Sequence, residues 1–212
     1  MSTILRTQPA CPSYLPGPAE IYRFTIQQYD QMTRDGTIAE DDPVELLGGI
    51  LVRKMPKKPR HSVITACLAE ELRRRLPEGW HVHQEQPLRI PDYDEPEPDL
   101  AIVRGAIVDF ALRHPSAADV ALVGEVVGTM LDRGEKRAIY ARGGIPIYWI
   151  INLIDNQIEV YTDPSPAHGY QSCVIYRPSE QLSVVANGQT CGTIAVPDLL
   201  TGGGESDEAR KS

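Results

Sequence analysis

Two short apolar runs, each holding a single carboxylate, constrain this chain most. One is Asp99-Leu100-Ala101-Ile102-Val103, led in by Glu97-Pro98; the other is Ala121-Leu122-Val123-Gly124-Glu125-Val126-Val127. Runs of this length and composition read as strands covered on both faces. Carboxylates are rarely buried unless they are paired or hold a metal. Two of them on neighbouring core strands therefore require positive charge, and the chain offers an ammonium in Asp132-Arg133-Gly134-Glu135-Lys136. The spacing predicts a helix from about Leu131 to Arg142, closed by Gly143-Gly144. Along it Asp132, Lys136 and Tyr140 fall at i, i+4 and i+8 and face one way.

The rest of the chain supplies elements around this pair of strands. Thr25 is placed to cap a helix in which Ile26, Tyr29 and Met32 share a face and which Gly36 ends. Val44 to Arg53 reads as a hairpin turning at Gly48-Gly49. Alternation taken alone puts Glu45 on its wet face. His61 or Ser62 opens a helix through Leu76, and Trp80 to Ile90 alternates as a strand. A surface loop or short helix is expected over 105–119. Ile147 to Leu153 reads as a strand covered on both faces, followed by Ile158 to Tyr161 and hairpin arms near 170–177 and 182–186. The order of helix, hairpin, helix, three strands, helix and strands gives an α/β (α+β) fold, a mixed central sheet flanked by helices with added C-terminal hairpins. A chain of 212 residues suits one domain, placed at 21–198. Residues 1–20, with Pro9, Pro12, Pro16 and Pro18, read as a disordered arm, and 199–212, with Gly202-Gly203-Gly204, as a disordered tail.

Composition removes several classes of function. A net charge of −8 is unlike a general nucleic-acid coat protein. The four cysteines lack any C-x-x-C pair, which indicates reduced thiols in place of a zinc cluster or disulfide framework. No run reaches the length of a membrane span and no signal-type start is present, so a soluble cytoplasmic protein is expected. His81 and His83 share a strand face, but without a third ligand nearby they read as polar sheet surface. Within this acidic chain Arg53, Lys54, Lys57, Lys58 and Arg60 form one basic loop. Such runs are ordinarily solvated; beside a nuclease site the same run would track phosphates. His61 near a helix start reads as a cap or surface residue.

Hydrolysis of a phosphodiester needs a cation against the transition-state charge and a water made nucleophilic near neutral pH. Hard carboxylate oxygens suit magnesium. Asp99 and Glu125 can supply two, Glu45 a third directly or through water, and Lys136 can orient the water or hold the phosphate. With these residues in place the chain resembles the Uma-type putative restriction endonuclease family of the PD-(D/E)XK nuclease superfamily, over roughly residues 20–198. The resemblance rests on Val44-Glu45-Leu46-Leu47-Gly48-Gly49, His61, Glu97-Pro98-Asp99-Leu100, Glu125-Val126, and the block from Asp132 through Trp149. It implies a Mg2+- or Mn2+-dependent DNA endonuclease, with Asp99 and Glu125 as metal ligands and Glu45 as an added acid. It further implies Lys54, Lys57, Lys58, Arg60 and His61 at the nucleic acid, and pairing as a homodimer. The superfamily's lysine, normally two residues after the second acid, is here Val127, and Lys136 on the following helix takes its place. The Val127–Leu131 segment is shorter than in other members. The alternative is a catalytically inactive relative serving as a nucleic-acid-binding or scaffold domain. An acid and base pair for sugar hydrolysis ranks below both, because aromatic residues make up only 6% of the chain and suggest no sugar-stacking cleft.

Overall fold

The computed structural model describes residues 21–39, 41–127 and 132–201. The arm expected over 1–20 and the tail from 202 onward lie outside these residues. Local sequence sets the first elements. Thr25 caps α1 (Ile26–Arg34) in a reciprocal capping box with Gln28. Strands β1 (Val44–Leu47) and β2 (Ile50–Arg53) pair antiparallel around Gly48-Gly49. Both glycines have positive φ, +57° and +76°, as a two-residue turn of this hand requires. Helix α2 (Pro59–Arg73) begins two residues before His61. Proline at the first helical position loses no hydrogen bond there, which is why the start lies upstream of the expected one.

Strand β3 (Trp80–Gln84) stops well short of the expected end at Ile90. Glu85 adopts a left-handed φ of +52° and turns the chain out of the ladder. Strands β4 (Leu100–Arg104) and β5 (Val120–Val127) follow, linked through short 3-10 turns at Ile107–Phe110 and Ala117–Asp119. A π-helical turn at Asp132–Lys136 leads into α3 (Arg137–Arg142). Strands β6 (Ile147–Asn152), β7 (Gln157–Ser165), β8 (Gly169–Tyr176), β9 (Gln181–Ala186) and β10 (Gln189–Ala195) complete the β structure, and α4 (Val196–Thr201) follows.

Strands β3 to β8 form one sheet in sequence order. Its neighbours run antiparallel except β5 and β6, which are parallel and so need a crossover; α3 lies on it. The sheet is covered on both sides. Ile64, Leu68 and Leu72 of α2 pack on one face with Leu182, Val184 and Ile194 of the β9–β10 hairpin. On the other face Ile139 and Tyr140 of α3 pack with Val123, Tyr148 and Ile150. Leu199 and Leu200 of α4 are 0% and 1% exposed, so the ordered chain runs past the boundary expected at 198. The two leucines close the α2 side of the core, whereas the sequence reading treated them as the start of a tail.

Candidate active site

Register brings the two strand carboxylates together. Leu100 pairs with Gly124, so Asp99, one residue earlier, lies across from Glu125. Alternation then puts both on the face that α3 covers, with Ala101 and Val123. The backbone locks the pair: Asp99 N donates to Glu125 Oε2 at 3.3 Å and Val126 N donates to Asp99 Oδ2 at 2.8 Å. The β1–β2 hairpin joins the segment leading into β4 through a bridge between Leu46 and Glu95. Glu97 N donates to Glu45 Oε2 at 3.0 Å. Glu45 is 4% exposed, which overturns its expected place on the wet face of the hairpin. Both sides of this strand are covered, and alternation cannot register that.

Lys136 enters from the crossover. Its Nζ lies 3.2 Å from Glu45 Oε2 and 3.3 Å from Glu125 Oε1, and it donates to Glu97 O at 3.4 Å. Tyr140, one turn on, donates its hydroxyl to Glu125 Oε1 at 2.8 Å. Burial, and then the Glu125 charge, push the Tyr140 phenol well above its ordinary range, so it stays a donor. Glu45, Asp99, Glu125 and Lys136 are 4, 4, 3 and 5% exposed. Charges this deep persist only as a mutually neutralising, hydrogen-bonded set.

The basic loop turns inward instead of lining an open rim. Lys57 Nζ sits 2.8 Å from both Asp99 Oδ1 and Glu85 Oε1, and Lys54 Nζ 2.8 Å from Glu97 Oε2. From the start of α2, His61 Nε2 reaches Asp99 Oδ2 at 3.0 Å, while Nδ1 meets the buried Thr65 hydroxyl at 3.4 Å. His61 is thus a site residue and not the cap its position suggested. Arg60 donates to Leu200 O on α4 at 3.4 Å, and Lys58 stays exposed at the head of α2. Burial opposes charge on Asp99, but the His61 hydrogen bond and the Lys57 ammonium overcome it and hold the carboxyl at about 2.

Among the described residues, then, the carboxylates of Glu45, Glu85, Glu97, Asp99 and Glu125 face the ammonium groups of Lys54, Lys57 and Lys136 and the His61 imidazole. No three His, Cys, Asp or Glu side chains among the described residues stand together as a ready metal cage. Magnesium, however, usually takes one or two protein carboxylates and keeps waters elsewhere, so an Asp99–Glu125 pair of hard oxygens fits its chemistry. The amine of Lys136 stands between Glu125 and Glu45. His81 and His83 are half-buried on β3: His81 Nδ1 bonds Gly105 O at 2.8 Å, both Nε2 atoms are buried without a hydrogen-bond partner among the described residues, and burial with the neighbouring His81 lowers His83.

Sequence reasoning assembled Asp99, Glu125, Lys136 and Glu45, and the structure brings these four together. The sequence did not reveal Lys57 or His61 on Asp99, or Asp94 as a tie. Asp94, 1% exposed, accepts from Gly48 N at 2.5 Å and from Arg142 Nη2 at 2.7 Å. It links the hairpin turn to the end of α3 and so fixes Glu45 relative to Lys136. Its signal in the sequence, one acid among several in Asp92 to Glu97, is shared with any polar turn.

No curated protein sequence matches the chain. A protein from Anabaena variabilis ATCC 29413, described as a putative nuclease belonging to DUF820, superposes with a TM-score of 0.66 at 16% identity, covering 84% of this chain and 98% of that one. At that identity the likeness is one of fold. The profile of the Uma2 family, described as putative restriction endonuclease, matches residues 26–193 and so takes in every strand and helix that shapes the site. The chain belongs to the Uma2 putative restriction endonuclease family.

Proposed function

We propose that this protein is a divalent-metal-dependent DNA endonuclease of the PD-(D/E)XK type, hydrolysing phosphodiester bonds with its lysine supplied by the helix after the second acid. The observation that carries the reading is Lys136 Nζ, 3.3 Å from Glu125 and within a buried acid set that includes Asp99. Asp99 and Glu125 would hold Mg2+ or Mn2+. The chemistry such an ion supplies when bound is charge neutralisation at the phosphate and a water acidic enough to attack near neutral pH. Lys136 would orient the attacking water or hold a non-bridging phosphate oxygen. Glu45, offered by the sequence as a third ligand, acts through the amine it holds, and Tyr140 keeps Glu125 aimed. Lys54, Lys57 and Lys58 on the loop after β2, with Arg60 and His61 at the start of α2, would contact the phosphate backbone. Cutting both strands of a duplex takes two sites, which a pair of chains would provide.

A second reading, an inactive relative serving as a binding or scaffold domain, is favoured by one observation: His61 and Lys57 already occupy both oxygens of Asp99. Thermal unfolding with increasing Mn2+ separates the two. A ligand bound by the folded state raises the melting temperature. The nuclease reading expects that rise in the wild type and its loss in Glu125→Gln, together with loss of nicking of plasmid DNA. Identical, flat Mn2+ responses in both proteins would leave the scaffold reading standing.

A further inference from the structure

The two lysines on the paired acids are held differently. Lys136 is 7% exposed in its side chain and comes from the crossover; Lys57 is 37% exposed and reaches in from the loop between β2 and α2. The two oxygens of Asp99 are also held differently. Oδ2 accepts from the β5 backbone at Val126 N and from His61 at the start of α2, partners on regular elements. Oδ1 has Lys57 as its partner among the described residues. Lys57 bridges Oδ1 and Glu85 Oε1 at 2.8 Å each, the position of a cation shared by two acids. A divalent ion that takes Oδ1 must therefore compete with this ammonium, whose side chain reaches solvent where that of Lys136 does not. Once released, the amine remains at the mouth of the site next to Lys58 and Arg60, whose side chains are already exposed.

We propose that Lys57 is an exchangeable counter-ion: it neutralises Asp99 in the metal-free chain, leaves when a divalent cation binds there, and then contacts a phosphate of the nucleic acid. This rests on the nuclease reading of the site. It makes metal loading and nucleic-acid binding mutually reinforcing, since each takes Lys57 away from Asp99 or keeps it away.

The full chain is compared with Lys57→Met, which keeps the apolar stem, Lys57→Gln as a second uncharged variant, and Lys57→Arg, which keeps the charge. Circular dichroism in EDTA checks that each folds. Mn2+ binding is read from loss of the free-ion EPR signal, without DNA. Removing an opposite charge this close is expected to tighten Mn2+ binding about tenfold in the Met and Gln variants, with Arg resembling the wild type. A short labelled duplex is then titrated in EDTA and in Ca2+ at several salt concentrations. Ca2+ should steepen the wild-type slope of log K against log salt by about 0.9, one phosphate contact, and leave the Met slope unchanged. Equal Mn2+ affinity in wild type and Met overturns the exchange while the nuclease reading stands. A slope that steepens as much in Met overturns the transfer to phosphate. Absence of Mn2+ binding in all four proteins overturns both this inference and the reading beneath it.

Discussion

Asp99 and Asp119 are both held at about 2, by different means. Asp99 is buried and would be driven upward but for His61 and Lys57, so its low value reflects a neutralising cage. Asp119 sits at the surface, where the Arg113 guanidinium at 2.7 Å comes first and Ser116, donating from N and Oγ at 2.9 Å each, adds to it. A carboxyl depressed on folding contributes stability that is present above its unfolded value near 4 and is lost as pH falls toward 2. Solvent screening limits the Asp119 contribution to below about 1 kcal/mol. Urea unfolding of Asp119→Asn against wild type should show that small gap at pH 6, its narrowing below about pH 4 and its closure only below about pH 2. What the sequence disclosed at this scale was the acids, since a carboxylate flanked by Val and Leu is conspicuous. The inward turn of Lys57 and His61 was not legible, because a loop cation looks the same whether its partner is water or an acid forty residues away.

The β1–β2 hairpin carries Glu45 to the site, and its turn has no spare room. A Cβ at Gly49 would stand 2.6 Å from Arg23 Cβ and 3.0 Å from Phe24 O, on a backbone with φ of +76°. Gly49→Ala should therefore cost about 1–2 kcal/mol by urea unfolding and, on the nuclease reading, also weaken Mn2+-stimulated cleavage, because Glu45 shifts with the turn. The turn itself was plain in the sequence: two glycines between two β-rich runs leave few alternatives. The burial of Glu45 was not, since a four-residue strand alternates correctly whichever side is wet. The end of β3 was equally hidden, because apolar alternation continues through Leu88 and Ile90 while the left-handed Glu85 removes them from the ladder.

At the scale of the whole molecule the layering was legible and the closure was not. Near-continuous apolar runs announced strands covered on both faces, and two layers flanking the sheet follow. Leu199 and Leu200, next to a glycine-rich stretch, looked like the start of a tail because helices of six residues leave almost no periodic trace. Their burial makes α4 a structural lid over α2 and β10, and Leu199→Ala is expected to cost about 2–4 kcal/mol in thermal or urea unfolding. A loss below 0.5 kcal/mol would mean that α4 is dispensable to the core. The fold tolerates wide sequence change: 16% identity suffices to keep a TM-score of 0.66 with the Anabaena protein.

The ion pair between Glu45 and Lys136 spans 91 positions, 136 minus 45. A growing chain emerging from the ribosome therefore carries Glu45 hydrated long before the amine that pairs with it exists. Any fragment ending short of the crossover lacks Lys136, so the Glu45–Lys136 pair closes only after most of the domain has been made.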